Sequence, residues 1–326
     1  MEDFKGKKIL FIGPKFHGYQ SLIKKELEKM GAVVDFYPER SYSFVFTFYN
    51  NFLKNSLDGF QQRHYRSILD TIGKINYDYL FVIRGFKMPV FFLEQFKRLN
   101  PSSRAIMYQW DSQNTNPFIH LRENFDVVKT FDFKDSDDFN ISYLPLFYTE
   151  DVENLMGVKV KPVYDFFFMG FFFEERYEAV LKFRKFCEDN GYMLKSFLYM
   201  PVRTRVKYFF QGRKFDHDVV SYKHMERKEY LAILTKSKIM VDVSNPRQTG
   251  LAMRVIEALA SGTKVATNNK NFRSDPSLRG SNAIDFFDLD KIAFSESFLT
   301  AQISNTSVLV LPVREWLQKI FFENET

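Results

Sequence analysis

The chain has 326 residues, of which 45% are hydrophobic and 26% charged; this excludes an intrinsically disordered protein and is enough for two ordinary domains. The formal net charge of +6 favours anionic partners, but the basic residues form no long block, which argues against a nucleic-acid-binding arm. A single cysteine, Cys187, excludes an internal disulfide and a cysteine metal cluster.

The amino-terminal stretch MEDFKGKKILFIG lacks the long apolar run and cleavage site of a signal peptide. No segment reaches about 18 consecutive apolar residues, the length that a membrane-spanning helix needs. We therefore expect a cytoplasmic protein, with peripheral contact to the inner face of a membrane as an option. The aromatic run 41–57 either touches such a surface or a lipid-linked acceptor, or packs as a helix on the first domain.

Strand and helix patterns alternate along the first half of the chain. Short buried apolar runs predict strands, and amphipathic spacing bounded by glycine or proline predicts helices. The predicted strands are 7–13, 32–38, 77–85, 104–111 and 125–132; the predicted helices are 21–31 and 89–101, and 50–75 has helical spacing.

A second alternating series begins near Tyr164. It predicts strands at 164–170, 192–199, 239–244 and 263–269, and helices at 174–191, at 227–238, from about Leu251, and at 313–322. Alternation of this kind indicates parallel sheets covered by helices on both faces. We predict an α/β protein of two Rossmann-like domains whose sheets face a central cleft. Their bounds are 1–150 for the first domain, 151–163 for a linker, 164–308 for the second domain, and 309–326 for a final helix that returns to the first.

The segment 244–269 carries the most specific chemistry. A predicted strand ends at Ser244, and a loop with Arg247, Thr249 and Gly250 leads into a helix at Leu251. The unpaired N–H groups of a helix start favour a phosphate, and Arg247 and Arg254 would add positive charge. Glu257 lies inside the apolar helix, where its carboxylate could accept hydrogen bonds from a ribose diol. The alternative is a buried glutamate that caps a neighbouring loop.

This block, with EALASGTKVATNN at its end, resembles the donor-nucleotide motif of GT-B glycosyltransferases of the group 1 type. The whole chain is similar to the CgeB-like and the capsule or lipopolysaccharide glycosyltransferases, in stretches such as YDYLFVIRG, YLPLFY and YDFFFMG. The resemblance implies that Glu257 holds the ribose of a nucleotide-diphosphate sugar. Several positions depart from the family pattern: Thr249 stands for its first glutamate, Phe171 for its arginine and Lys264 for its proline. Candidates to replace that arginine's charge are Arg176, Arg203 and Arg205, besides Arg247 and Arg254.

Three residues at predicted strand ends of the first domain are candidates for acceptor chemistry. His17 follows the first strand and either binds substrate or acts as a base, or is a plain loop histidine. Asp111 either orients an acceptor hydroxyl or acts as a base, or caps the turn that follows. Arg84 either holds an acceptor phosphate or pairs with Asp111.

The Asp216-His217-Asp218 triplet resembles a metal-binding DxD motif, but a solvated turn is the favoured interpretation. We predict no metal requirement and no cofactor. The predicted function is transfer of a sugar from a nucleotide-diphosphate sugar to a polysaccharide or lipid-linked glycan; the alternative is a non-catalytic nucleotide- or sugar-binding protein on the same frame. The predicted catalytic residues are His17 and Asp111, and the predicted donor-binding residues are Ser244, Arg247, Thr249, Gly250, Leu251, Arg254 and Glu257.

Overall fold

A computed structural model describes residues 4–158, 160–274, 281–303 and 310–323. The remaining positions of the predicted domains and linker (1–3, 159, 275–280, 304–309 and 324–326) lie outside the described residues. The chain divides into two compact units. Unit 1 contains the described residues up to 146, together with 247–250 and 311–323, and unit 2 contains those at 147–246 and 251–310.

Unit 1 is built on a parallel sheet of six strands in the order β2-β1-β3-β4-β5-β6. The central strands are buried on both faces, which is why they read as continuous apolar runs. The strands are β1 Lys8–Gly13, β2 Val33–Pro38, β3 Tyr79–Ile83, β4 Arg104–Gln109, β5 Val127–Thr130 and β6 Ser142–Tyr143. The helices are α1 Tyr19–Lys29, α2 Phe44–Phe52, α3 Leu57–Ile72, α4 Val90–Leu99 and α5 Phe133–Phe139.

Unit 2 has a second six-stranded parallel sheet, in the order β10-β9-β8-β11-β12-β13. Phe166 and Phe168 of β8 and Phe183 of α7 are buried in its core. The strands of this sheet are β8 Tyr164–Phe171, β9 Leu194–Tyr199, β10 Val220–Ser221, β11 Ser237–Asp242, β12 Lys264–Thr267 and β13 Ile284–Phe286. A further short strand, β7 Phe147–Tyr148, lies outside the sheet. The helices are α6 Glu150–Glu153, α7 Glu174–Asp189, α8 Val202–Phe210, α9 Arg227–Leu234, α10 Met253–Ala260 and α11 Glu296–Thr300.

The end of the chain, with β14 Leu311–Pro312 and α12 Val313–Phe321, belongs to unit 1. Trp316 of α12 is fully buried there, and its ring meets that of Tyr108 edge-on at 4.7 Å. The predicted boundary at 150 differs from the observed one, because the chain enters unit 2 at Phe147. The predicted linker region also differs: it contains α6, whose Val152 is buried in unit 2.

In each sheet the order in which successive strands are added reverses at one point, the topological switch point. It lies between β1 and β3 in unit 1 and between β8 and β11 in unit 2. In parallel α/β sheets, ligands bind beyond the carboxyl ends of the strands at such points. The carboxyl ends of these strands are therefore the places to look for functional side chains.

Candidate functional site

The switch point of unit 2 is organised around Asp242, the last residue of β11. Its buried carboxylate accepts hydrogen bonds from the hydroxyls of Ser244 (2.5 Å) and Thr267 (2.7 Å), and it pairs with the guanidinium of Arg254 on α10. Burial would raise the pKa of Asp242, but Arg254 and the two hydroxyls hold that pKa below its usual value. Asp242 is therefore ionised and fixes Arg254 at the start of α10.

A second arginine lies at the same switch point. Arg176, near the start of α7, is only 8% exposed, and its Nη1 donates to the Phe171 carbonyl at 3.0 Å. Burial, and then the nearby charge of Arg254, lower the pKa of Arg176 to about 9, so it is still charged at neutral pH. The Nε atoms of Arg176 and Arg254 are both buried without a hydrogen-bond partner. Asp242 is paired with Arg254 and acts on Arg176 only by charge attraction, so the two guanidinium groups leave an excess positive charge that suits an anionic ligand.

Glu257, one turn further along α10 than Arg254, is only 2% exposed. Its Oε1 accepts a hydrogen bond from Nη1 of Arg227 at 2.7 Å. Arg227 also donates from Nε and Nη2 to the two oxygens of Asp151 at 2.8 and 3.0 Å. The buried carboxylate is thereby compensated and held in place, as a buried charge requires.

Aromatic rings lie beside this site at the ends of two neighbouring strands. Tyr199 ends β9 and its ring lies 3.7 Å from that of His224, in the loop before α9. Phe171, the last residue of β8, meets both rings edge-on. Flat rings of this kind are surfaces on which a planar base can stack.

The loop before α10 differs from the phosphate-binding loop predicted from the sequence. Residues 247–250 belong to unit 1, where the carboxylate of Asp132 accepts hydrogen bonds from the N–H groups of Thr249 (2.6 Å) and Gly250 (3.3 Å) and from the Thr249 hydroxyl (2.7 Å). The N–H groups of Thr249 and Gly250, two of the predicted donor-binding residues, are thus engaged by the protein itself. A Cβ at Gly250 would lie 2.3 Å from the carbonyl oxygen of Phe131, so packing on that carbonyl requires the glycine.

The other residues of this segment are divided between the units. Arg247 is exposed and its carbonyl accepts a hydrogen bond from Ser112 at 2.8 Å in unit 1. Leu251 is buried in unit 2, and α10 begins at Met253, two residues later than predicted. Of the predicted donor-binding residues, Ser244, Arg254 and Glu257 are brought together with Arg176 in unit 2.

Arg84 of unit 1 is held by two carboxylates. Its Nη1 donates to Asp111 at 3.1 Å, and its Nη2 pairs with the fully buried Glu39. The second oxygen of Asp111 accepts from Nε2 of Gln248 at 3.0 Å. Of the two roles predicted for Arg84, the structure shows the pairing with Asp111. Arg84 also has a left-handed backbone, with φ 69, which is uncommon for a residue other than glycine.

His17 lies in the exposed loop between β1 and α1 and has φ 47. Its neighbour Phe16 contacts the ring of Trp110, which precedes Asp111 in the chain. This aromatic contact places the loop of His17 beside the end of β4. Both predicted catalytic residues thus lie at the carboxyl edge of the sheet of unit 1.

The Asp216-His217-Asp218 triplet has the contacts of a turn. Asp216 forms an ion pair with Arg184 at 2.6 Å and accepts the N–H of Asp218 at 2.8 Å. The Asp218 N–H and Arg184 keep the pKa of Asp216 below its usual value. Within the described ranges, no three His, Cys, Asp or Glu side chains are grouped as metal ligands.

Arg203 and Arg205 are exposed on α8, which starts shortly after β9, and Arg205 lies over the ring of Tyr222 at 4.2 Å. They are therefore not part of the group formed by Arg176 and Arg254. None of the helices in the described part of the chain has the length and apolar character that crossing a membrane requires.

Sequence reasoning missed several residues of these sites: Glu39, Asp132, Asp151, Arg227 and Asp242. Two of them had a readable signal: Asp132 ends a predicted strand as Asp111 does, and Asp242 lies two residues before the end of one. Arg227 and Asp151 had none, because only the fold brings the start of α9 to the start of α6.

No family model matches the chain, and no curated protein is similar to it in sequence. Solved structures are similar in fold. The lipopolysaccharide outer core galactosyltransferase WaaB in its apo form has a TM-score of 0.50 at 11% identity, with 97% of this chain and 96% of that chain covered. A glycosyltransferase from Rickettsia africae has a TM-score of 0.50 at 11% identity, with 97% and 88% covered.

The UDP-GlcNAc 2-epimerase from Neisseria meningitidis, bound to UDP-GlcNAc, has a TM-score of 0.51 at 8% identity, with 96% and 91% covered. These matches extend over almost the whole chain, and the neighbours are GT-B proteins. The chain therefore has the GT-B fold, and the fold class predicted from the sequence is confirmed.

Proposed function

We propose that the protein is a glycosyltransferase that uses a nucleotide-diphosphate sugar and acts in the synthesis of a cell-surface glycan. The observation that supports this most directly is the pair of arginines at the switch point of unit 2: Arg254 is paired with Asp242, and Arg176 is buried close enough for the charge of Arg254 to lower its pKa. A diphosphate would neutralise their excess charge. The similarity to two glycosyltransferases of the GT-B fold supports the same class of reaction.

In this proposal, unit 2 binds the donor. Arg176 and Arg254 hold the diphosphate, Glu257 holds the ribose, and the rings of Tyr199 and His224 contact the base. Negative charge develops on the diphosphate as it leaves the sugar, and guanidinium groups fixed in a buried site stabilise that charge. Because the arginines provide this positive charge, we expect the reaction to need no added metal. We also expect the transferred sugar to be a hexose and no cofactor to be required.

Unit 1 would bind the acceptor, a growing polysaccharide or a lipid-linked glycan. Asp111 is rigidly held by Arg84 and Gln248, which suits it to orient an acceptor hydroxyl. His17 is the candidate base that would accept the proton of that hydroxyl. A lipid-linked acceptor would bring the protein to the inner face of a membrane.

The first test is calorimetric binding of UDP, GDP, CDP and TDP, without added metal, to the wild type and to Arg176→Met, Glu257→Ala and Arg98→Met. Arg98 is an exposed arginine of α4 and serves as the matched control. We expect one diphosphate to bind, Arg176→Met and Glu257→Ala to lose at least about tenfold in affinity, and Arg98→Met to bind like the wild type.

Arg176→Met should weaken binding without lowering the stability of the free protein. A charge that is buried with too few partners destabilises the free protein. The free energy of unfolding of the variant should therefore equal that of the wild type or exceed it by about 1 kcal/mol. Loss of binding together with unfolding of the variant would point to a structural role. If none of the four diphosphates binds to folded wild type, the donor site is wrong.

Turnover distinguishes the remaining possibilities. A protein that binds a diphosphate but neither hydrolyses nor transfers any nucleotide-sugar would be the non-catalytic binding protein. Interconversion of two nucleotide-sugars, without release of the diphosphate, would instead indicate a reaction like that of the epimerase with which the chain shares its fold.

A further inference from the structure

One face of helix α8, Val202–Phe210, packs on the rest of unit 2. The buried residue of this face is Tyr208, whose ring lies 5.7 Å from that of Phe172 and 5.1 Å from that of Phe215. The Tyr208 hydroxyl donates to Glu174 at 3.1 Å. These contacts fix which face of α8 is directed inward and therefore which face is directed to solvent.

The outward face of α8 is apolar. Val202, Val206, Phe209 and Phe210 are 66%, 47%, 76% and 81% exposed. Because successive helical residues are rotated by about 100°, these four positions fall within one arc of about 100°, on the side opposite Tyr208. An ordinary surface helix has its apolar residues on the buried side. In α8 they lie on the exposed side, so this apolar face needs a partner other than the core of unit 2.

Basic residues flank the apolar face on both sides. The same rotation places Arg203 at one border of the face and Arg205 at the other. From 202 to 215 the chain contains five basic residues and no acidic one: Arg203, Arg205, Lys207, Arg213 and Lys214. The nearest carboxylate with a contact to this segment, Glu174, is paired with Arg213 and bonded to Tyr208.

We propose that α8 docks the protein on the surface of an anionic lipid bilayer, with Phe209 and Phe210 inserted among the acyl chains and the flanking cations at the headgroups. Apolar residues on one side of a helix with lysine and arginine beside them are what such an interfacial helix requires. A second copy of the chain is a poor occupant, because it would bring the same cations face to face. This inference does not depend on the proposed function, since it concerns lipid and not a nucleotide.

The test is cosedimentation of the full chain, free of nucleotide, with vesicles of phosphatidylcholine alone and of phosphatidylcholine with phosphatidylglycerol. We expect binding to the anionic vesicles only, weakened by salt. The double variant Phe209→Ser/Phe210→Ser should lose at least about tenfold in affinity, and Lys207→Gln about threefold to tenfold. These side chains are exposed, and circular dichroism would check that each variant is folded.

Phe44→Ser is the comparison variant, because Phe44 on α2 is 96% exposed and the stretch 41–53 has no charged residue. It should keep most of the affinity of the wild type. Equal loss of affinity in Phe44→Ser and in the α8 double variant would overturn the assignment to α8, as would undiminished binding by the double variant.

Absence of binding to anionic vesicles, or equal binding to both kinds of vesicle, would overturn the proposal and leave an acidic protein partner to be sought. A dimer in sedimentation velocity that Phe209→Ser/Phe210→Ser converts to a monomer, with no lipid binding, would instead identify a copy interface.

Discussion

Individual acidic residues at or just beyond the carboxyl ends of strands organise both units. Asp111 and Asp132 in unit 1 and Asp242 in unit 2 each follow or end a buried strand, and each accepts hydrogen bonds from groups that are distant in sequence. The sequence contains the acids and the strand pattern, so their place at a sheet edge was predictable. Their partners were not, because pairs such as Glu39 with Arg84 depend on the order of the strands in the sheet.

Asp135 on α5 gives a pH-dependent prediction at this scale. Burial, with smaller effects from Asp132 and Asp138, raises the pKa of Asp135 to about 6, although its carboxylate accepts the Gln113 N–H at 2.7 Å. Because the folded pKa lies above the unfolded value of 3.8, the folded state binds more protons between about pH 4 and 6. The contribution of Asp135 to the free energy of unfolding should therefore fall as pH rises through that window.

Asp135→Asn removes this charge and keeps an acceptor for Gln113. We expect its free energy of unfolding to exceed that of the wild type by about 1–3 kcal/mol above pH 6.5, with a smaller gain at pH 4.5 and none below the unfolded pKa of 3.8. Urea unfolding at pH 4.5 and 7.5 would measure the difference. Asp138→Asn, at an exposed carboxylate paired with Lys134, should show no such gain, and an effect of Asp135→Asn independent of pH would contradict the titration.

At the scale of elements, long segments with a buried face were predicted and short or exposed ones were not. The predicted and observed ranges of β1, α7 and α12 agree closely, since each has a continuous buried pattern. The patterned region 50–75 is interrupted between α2 and α3. Strand β13 was missed because it has three residues and is half-buried.

The loop before α10 gives a prediction at this scale. Gly250→Ala would place a methyl group 2.3 Å from the carbonyl oxygen of Phe131, in backbone that cannot yield as a flexible side chain can. We expect it to lower the free energy of unfolding by at least about 2 kcal/mol, measured by urea denaturation. Gly59→Ala in α3 is the matched control, because its Cβ would meet nothing within 4 Å. That variant should be neutral or up to about 1 kcal/mol more stable. Equal stability of Gly250→Ala and wild type would mean that this loop does not pack on Phe131.

At the scale of the whole molecule, the chain crosses between its two units more than once. Unit 1 is assembled from the first part of the chain, from 247–250 and from the segment after 310. The alternation of strands and helices predicts two such units, and the aromatic pattern of 313–322 predicts a helix. The membership of 247–250 in unit 1 had no sequence signal, because it rests on hydrogen bonds to Asp132 across more than a hundred residues.

This division predicts where a mutation in the last helix acts. Trp316 is fully buried in unit 1, and it contacts the rings of Tyr108 and Phe81, which belong to β4 and β3. Trp316→Ala should lower the free energy of unfolding by about 3–5 kcal/mol, because it leaves a large cavity in that core. Hydrogen exchange read by mass spectrometry should therefore rise in the strands of unit 1 more than in β8 and β11. Trp110→Ala, at a half-buried position of the same unit, should have a smaller effect. An equal rise of exchange in both sheets would show that the two units open together, because the chain that crosses between them then couples their unfolding.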